Sequence, residues 1–459
     1  MFIGRKKELN TLNAQYQSNN FEFTVLYGRR RIGKTQLLSQ FIKDKNAIYY
    51  MAIEAGYQTN LDLMSKTINS KIDKANYLSS FKDFDQLFSY LTELAKKERT
   101  VFVIDEYPYL AQSVPEISSL IQKYCDHYWK DTKLQLILCG SSMSFMEAQV
   151  LGSKSPLYGR RTAQIKLKPF TYFETEQFLY PMPKEDIAIL HCATGGIAEY
   201  LNYVNPLINL KSNIIQLFLK DSSRLYEEPI NFLKQELREP KVYHSILNAI
   251  ANGASKNNTI ATKINMQTGS LNRYLDNLID LGIIMKESPI NEDGSRKSIY
   301  RIYDGSFRFW YQFVLPNMSA IELGLGEEVY QSSIEKNLSI FMGEGFEKIC
   351  LDYFDKLNQE GKLPTLITKR GRWWGNNPKL KREEEIDIIG ISKDLIIFSE
   401  VKWTKELIDL SIVNELIEKS LVLNPKKSHY ILFSKNGFTD AVTQFSKQAK
   451  NITLITFLT

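Results

Sequence analysis

Cysteine is scarce in this 459-residue chain: Cys125, Cys139, Cys192 and Cys350 stand far apart, with no C-x-x-C pair. That excludes a disulfide scaffold and suits a reduced, intracellular protein. No run of about 18 apolar residues occurs, which excludes a membrane-spanning helix. The opening segment Met1-Phe2-Ile3-Gly4-Arg5-Lys6-Lys7 lacks the apolar region of a signal peptide, so a cytoplasmic location without membrane contact is expected. Repeats and low-complexity tracts are missing as well, which argues against a solenoid. Charge of one sign is only slightly in excess: 58 Lys and Arg against 52 Asp and Glu give +6. This is compatible with nucleic acid but does not require it. What is present, 43% hydrophobic and 24% charged residues, excludes a mainly disordered chain.

Length alone suggests about three domains, and the pattern divides into four segments. Residues 21–170 alternate apolar runs (Phe23–Tyr27, Ala47–Ala52, Val101–Ile104, Leu134–Cys139) with helical stretches, predicting a parallel α/β sheet. Residues 171–235 read as all-helical. Residues 236–325 carry three helical patterns and then a hairpin around Asn291-Glu292-Asp293-Gly294-Ser295, and residues 326–459 return to mixed α/β.

The sharpest motif is Gly28-Arg29-Arg30-Arg31-Ile32-Gly33-Lys34-Thr35, a complete G-x-x-x-x-G-K-T between a β-rich run and a helical one. Gly28 and Gly33 allow the backbone to turn its N–H groups toward phosphate, and the following helix N-terminus adds positive potential. Lys34 is expected to neutralise β/γ-phosphate charge and Thr35 to hold Mg²⁺. Val101-Phe102-Val103-Ile104-Asp105-Glu106 supplies the partner strand. Asp105 is expected to hold Mg²⁺ through water, and Glu106 to polarise the water that attacks the γ-phosphate. ATP hydrolysis therefore ranks above passive binding. Ser141 or Ser142, after the next strand, is a candidate γ-phosphate sensor, with a turn or cap role as the alternative. Arg160 and Arg161 are candidate arginine fingers, in cis or from a neighbouring subunit of a homo-oligomer, with solvated surface as the alternative.

These residues carry a resemblance. Phe2–Leu9, GRRRIGKT, VIDE, Ser155–Arg161 (SPLYGRR) and Gly195–Leu201 (GGIAEYL) together resemble the archaeal-type ATPase family, of the STAND branch of AAA-like P-loop NTPases. The resemblance covers roughly the first half of the chain. It implies that Phe2–Arg5 lies near the adenine and that a helical lid around Gly195-Gly196 closes on the nucleotide. The family pattern has proline where Ala198 stands.

In the middle segment, Tyr243, Ile246, Leu247 and Ile250 mark one helical face, Thr259–Ile264 a second helix, and Leu271, Leu275, Leu278 and Ile279 a third. Ile283–Met285 and Ser298–Ile302 then flank the Gly-containing turn. The pattern predicts a winged helix, which also resembles the module that follows this ATPase in the family. Its third helix carries Arg273 against Asp276 and Asp280, so a packing or relay role outranks DNA contact through that helix. Lys286, Arg296 and Lys297 on the wing keep DNA contact open.

The last segment holds a second constellation. Glu400 and Lys402 are two apart on an apolar run and so share a face, while Asp387 sits in Ile386-Asp387-Ile388-Ile389 on a neighbouring strand. Glu347 edges a helical stripe of Phe346, Ile349, Cys350, Tyr353 and Phe354. Carboxylates clustered in an apolar sheet are costly without cations. They are therefore expected to hold Mg²⁺ or Mn²⁺ through Asp387 and Glu400 with Glu347 assisting, and Lys402 to orient or deprotonate the water that attacks a phosphodiester. The order of elements resembles the PD-(D/E)xK nuclease fold, and specifically the uncharacterised domain commonly fused to these ATPases; a degenerate, non-cleaving domain is the alternative. Six basic residues interleave with Trp373 and Trp374 between Lys369 and Arg382, which suits a nucleic-acid groove. The expected whole is an ATPase core at 1–170, a lid at 171–235, a winged helix at 236–325 and a nuclease-like domain at 326–459 acting on DNA. A STAND-like ATP-dependent switch is the alternative.

Overall fold

The computed structural model describes residues 2–71, 79–290, 297–377 and 381–458, which divide into two compact units. The hairpin turn expected at Asn291–Ser295, together with Arg296 and Lys379, lies outside the described residues.

The first unit comprises residues up to Phe170 together with Ile197–Glu199. Its five strands are β1 (Glu22–Tyr27), β2 (Ala47–Met51), β3 (Thr100–Asp105), β4 (Leu134–Gly140) and β5 (Ala163–Lys166). They form one sheet in the order β2-β3-β4-β1-β5, every pair parallel. This is the parallel sheet typical of P-loop NTPases. β3 and β4 are buried along their whole length, as strands covered by helices on both faces must be. Helical cover comes from amphipathic segments such as Phe84–Lys97, whose N-cap Asp83 accepts the Gln86 N–H at 2.8 Å. Its face buries Leu87, Phe88 and Leu91, and the Trp129 indole inside that core donates to Thr92 Oγ1 at 2.9 Å.

The second unit holds Thr171–Gly196 and Tyr200–Thr459. Three helices, Pro240–Ala251, Asn257–Lys263 and Thr268–Asp280, precede the antiparallel pair β6 (Ile284–Glu287) and β7 (Ile299–Ile302). After the helix Glu335–Gln359 come β8 (Lys369–Asn377), β9 (Arg382–Ile391), β10 (Ile396–Lys402), β11 (Ser428–Ser434) and β12 (Ile452–Thr456). Their order is β12-β11-β10-β9-β8, with β8, β9 and β10 antiparallel and β10, β11 and β12 parallel. The helices Leu410–Ser420 and Asp440–Ala449 make the crossovers that parallel neighbours require.

Lys369–Asn377, the first part of the basic, tryptophan-bearing stretch, is thus an edge strand. Trp373 is buried in the core of this sheet and Arg370 pairs with Asp355. The helices Tyr172–Leu179 and Lys184–Thr194 pack in the same unit as this sheet: the tilted ring pairs Tyr172–Phe457 and Phe173–Tyr353 lie 4.9 and 5.6 Å apart. No helix among the described residues is long and apolar enough to cross a membrane. All four cysteines are free and buried.

Candidate functional site

β1 ends at Tyr27 and the loop Gly28–Gly33 leads into the helix Lys34–Ile42. Glycine is required at both ends of the loop. Gly28 has φ +155° and a Cβ there would lie 2.5 Å from the Leu167 carbonyl oxygen; Gly33 has φ +93°. Lys34 is buried, and its ammonium donates to the carbonyls of Gly28 and Arg29, both at 2.9 Å. Burial holds its pKa below the ordinary lysine value, partly countered by Glu106 and Asp105 nearby.

β3 delivers its carboxylate from the neighbouring strand but one. Asp105 Oδ2 accepts from Thr35 Oγ1 at 3.0 Å and from the Tyr49 hydroxyl, so threonine and aspartate meet as the sequence expects. Tyr49 is a residue the motifs do not announce. It lies on β2, one register step from the partner of Ile104, and only the sheet order brings it to Asp105. Burial, and then the charge of Asp105, push its phenol pKa up.

Glu106 has φ +50°, a left-handed conformation that a side chain other than glycine adopts at a cost. Its N–H donates to Asp105 Oδ1 at 2.9 Å. Its Oε2 accepts from Ser141 Oγ at 2.8 Å and from Ser141 N at 3.3 Å. Of the two candidate serines, Ser141 at the end of β4 thus holds the glutamate.

Two peripheral segments also reach the loop. Arg5, itself at φ +57°, donates to Ile32 O at 2.9 Å and lies 4.5 Å over the Phe170 ring. Glu199 N donates to Arg31 O at 3.1 Å, and Ala198 Cβ is 3.7 Å from where a Gly33 Cβ would be. Of the arginine pair, Arg160 is committed elsewhere. It grips Asp126 through two nitrogens at 2.9 and 2.7 Å, which holds the Asp126 pKa down. Arg161 is half-buried.

The second constellation lies in the other unit. Pairing of β9 with β10 runs to Ser399 opposite Ile388, and the next residues along are Asp387 and Glu400, both buried. Asp387 Oδ2 accepts the Val401 N–H at 2.8 Å, standing in for a ladder carbonyl. Lys402 Nζ meets Glu400 Oε1 at 2.6 Å. Burial, and then the charge of Glu400, lift the Asp387 pKa to about 7. Glu347, on the helix Glu335–Gln359, is lifted to about 8 by burial and then by Asp387.

The acids are therefore mutual neighbours, but Glu347 is not aimed as a third ligand. It lies 3.8 Å from Arg301 and 3.6 Å from Arg372. Among the described residues, no three His, Cys, Asp or Glu side chains converge as a metal-holding group, so the expected three-carboxylate cage is reduced to the pair Asp387 and Glu400. Arg301 went unforeseen because the short strand β7 that carries it has no motif. In the three-helix module, Arg273 stands 3.5 Å from Glu239 and is exposed.

A glycine-bounded loop, a buried lysine and a threonine–aspartate couple on a parallel sheet define a P-loop ATPase. Residues 2–204 match the family described as an ATPase domain predominantly from Archaea, and residues 310–415 match one described as archaeal and bacterial proteins of unknown function. An uncharacterised protein of Methanocaldococcus jannaschii is 34% identical over 445 residues, 95% of this chain and 96% of that protein. The chain belongs to the family of that protein, with an archaeal-type ATPase domain in its first half. An uncharacterised ATP-binding protein of the same organism is 44% identical over 45 residues, 10% of this chain and 76% of that one. Among solved structures, the Walker-type ATPase of Pyrococcus abyssi superposes with a TM-score of 0.51 at 21% identity, over 68% of this chain and 96% of that one, a likeness of fold.

Proposed function

We propose that the chain hydrolyses ATP with Glu106 as the base, and that its nucleotide state controls a divalent-cation-dependent nuclease site at Asp387, Glu400 and Lys402 acting on DNA. The observation that carries the first part is the joined pair of contacts Thr35–Asp105 and Ser141–Glu106. Gly28 and Gly33 free the loop's N–H groups for phosphate, and Lys34 exchanges its carbonyl partners for β/γ-oxygens. Thr35 and Asp105 are suited to hold the Mg²⁺ that accompanies the nucleotide and neutralises charge as the γ-phosphoryl leaves. Glu106, steadied by Ser141, takes a proton from the attacking water. Arg161 is the remaining finger candidate, in cis or from a second copy.

For the second part, Asp387 and Glu400 are two oxygen donors at the point where the β9–β10 ladder opens, enough for a Mg²⁺ or Mn²⁺ ion that keeps several waters. Such an ion would supply charge neutralisation at a phosphodiester. Lys402 would orient or deprotonate the attacking water, and Val401 N keeps Asp387 aimed. The three-helix module with its β6–β7 pair supports a winged-helix reading, with a packing role.

A specific observation favours a second reading. Lys402 is already paired with Glu400 at 2.6 Å, which suits a non-cleaving switch of the STAND kind. One assay separates the two: end-labelled DNA incubated with Mg²⁺ or Mn²⁺, with and without ATP, beside Lys402→Ala. The nuclease reading expects cleavage that ATP changes and that Lys402→Ala abolishes. No cleavage under any nucleotide state, or cleavage that persists in the variant, sinks it and leaves the switch.

A further inference from the structure

The second unit encloses a cavity of about 330 Å³ between the β6–β7 pair, the helix Glu335–Gln359 and strands β8 and β9. That is the small end of the range for pockets that take an organic ligand. Six basic and four acidic side chains line it, although Arg370 is committed to Asp355. Two arginines dominate. Arg301 approaches Glu287 at 3.5 Å, Glu344 at 3.5 Å and Glu347 at 3.8 Å. Arg372 approaches Glu287 at 3.6 Å, Glu347 at 3.6 Å and Glu385 at 3.3 Å.

All six separations exceed the roughly 2.7–2.9 Å of a closed charge-assisted pair. The donors are thus held near acids without being saturated by them. One buried donor makes the same point: Arg372 Nε has no hydrogen-bond partner. A guanidinium buried with an unused N–H is costly unless something accepts from it. An oxyanion with several oxygens is the acceptor that fits two such forks. The half-buried Trp374 lines the same space and offers an aromatic face of the kind on which bases stack.

We infer that this cavity is a binding site for one nucleotide carrying a terminal phosphate, with the phosphate on Arg301 and Arg372 and the base against Trp374. The nucleotide is either free or the end residue of a strand. Asp387 lines the same cavity, so a strand end bound here brings its phosphate to the carboxylate of the proposed nuclease site. In that form the inference deepens the nuclease reading and rests on it for chemistry; the binding itself does not.

The test uses the full chain carrying Lys34→Ala, which keeps the P-loop from competing, in EDTA so that nothing is cut. Three probes are titrated by calorimetry: 5′-phosphorylated thymidine dinucleotide, the same dinucleotide without its phosphate, and thymidine 5′-monophosphate. The phosphorylated dinucleotide is expected to bind at least tenfold tighter than the unphosphorylated one. Arg372→Gln is expected to weaken it at least tenfold and Arg372→Lys less, while Glu287→Gln, which removes a competing acid, leaves binding equal or tighter. A variant that merely unfolded would lose binding in all three, and melting curves taken alongside identify it. Monophosphate binding as tightly as the dinucleotide assigns the site to a free nucleotide; weaker binding assigns it to a strand end. Equal affinity with and without the phosphate, or indifference to Arg372→Gln, overturns the inference. Asp387→Asn is expected to retain binding even where cleavage is lost, so failure of the nuclease reading is read separately.

Discussion

At the scale of the residue, the proposed hydrolysis turns on the contact between Ser141 and Glu106. A carboxylate must point at the water it activates, and Ser141 donates to it from both hydroxyl and backbone. Ser141→Ala is therefore expected to lower steady-state kcat by roughly tenfold with ATP affinity unchanged, whereas Lys34→Ala loses ATP binding itself; phosphate release and nucleotide titration separate the two. Asp387 gives a pH signature in the cation-free chain. Its pKa is raised from 3.8 to about 7 on folding, so the proton it keeps stabilises the fold at low pH, and that contribution fades as pH climbs to about 7. Asp387→Asn mimics the protonated form and can still accept from Val401. It is expected to match wild type near pH 4 and to be more stable by on the order of 1–3 kcal/mol at pH 8, read from melting curves in EDTA. Much of this scale was legible. Gly28 to Thr35 and Asp105-Glu106 are contiguous, and their spacing alone implies the chemistry. Tyr49, Asp126 and Arg301 were not, because each acquires its role from a neighbour on another element.

At the scale of the element, apolar runs gave four of the first unit's five parallel strands to within a residue or two, since a strand covered on both faces reads as an unbroken hydrophobic run; the short, largely uncovered β5 gave no such run. β8 hid itself. Its burial does not alternate cleanly, its residues are mostly basic, glycine or asparagine, and the pairing with β9 shifts register between Gly371 and Trp373. The helix Tyr172–Leu179 is another case. Its Thr171–Glu174 capping box is readable in sequence, but the surface it packs on is not. The Phe173 ring packs tilted against Tyr353 and Lys356 lies 4.2 Å over the Phe173 ring, which fastens this helix to the helix Glu335–Gln359. A double-mutant cycle of Phe173→Ala and Tyr353→Ala is expected to show a coupling of about 0.5–1.5 kcal/mol in denaturant unfolding. Strict additivity would mean the rings do not hold the helix.

At the scale of the whole molecule, the P-loop residues and the proposed set Asp387, Glu400 and Lys402 fall in two compact units, and three residues, Ile197–Glu199, belong to the first unit while the chain on both sides of them belongs to the second. That interruption was invisible in composition and periodicity, because it follows from where a short segment packs and not from what it is made of. The grouping of the chain into two units was not legible. The account as a whole depends on the first unit turning over its nucleotide. The direct measurement is phosphate release from ATP and Mg²⁺ by the full chain beside Glu106→Gln, with ATP affinity measured on both. The account expects turnover in wild type, a loss of about 10²–10⁴-fold in the variant, and equal affinity. Equal turnover by the two proteins, or none in wild type, would contradict it.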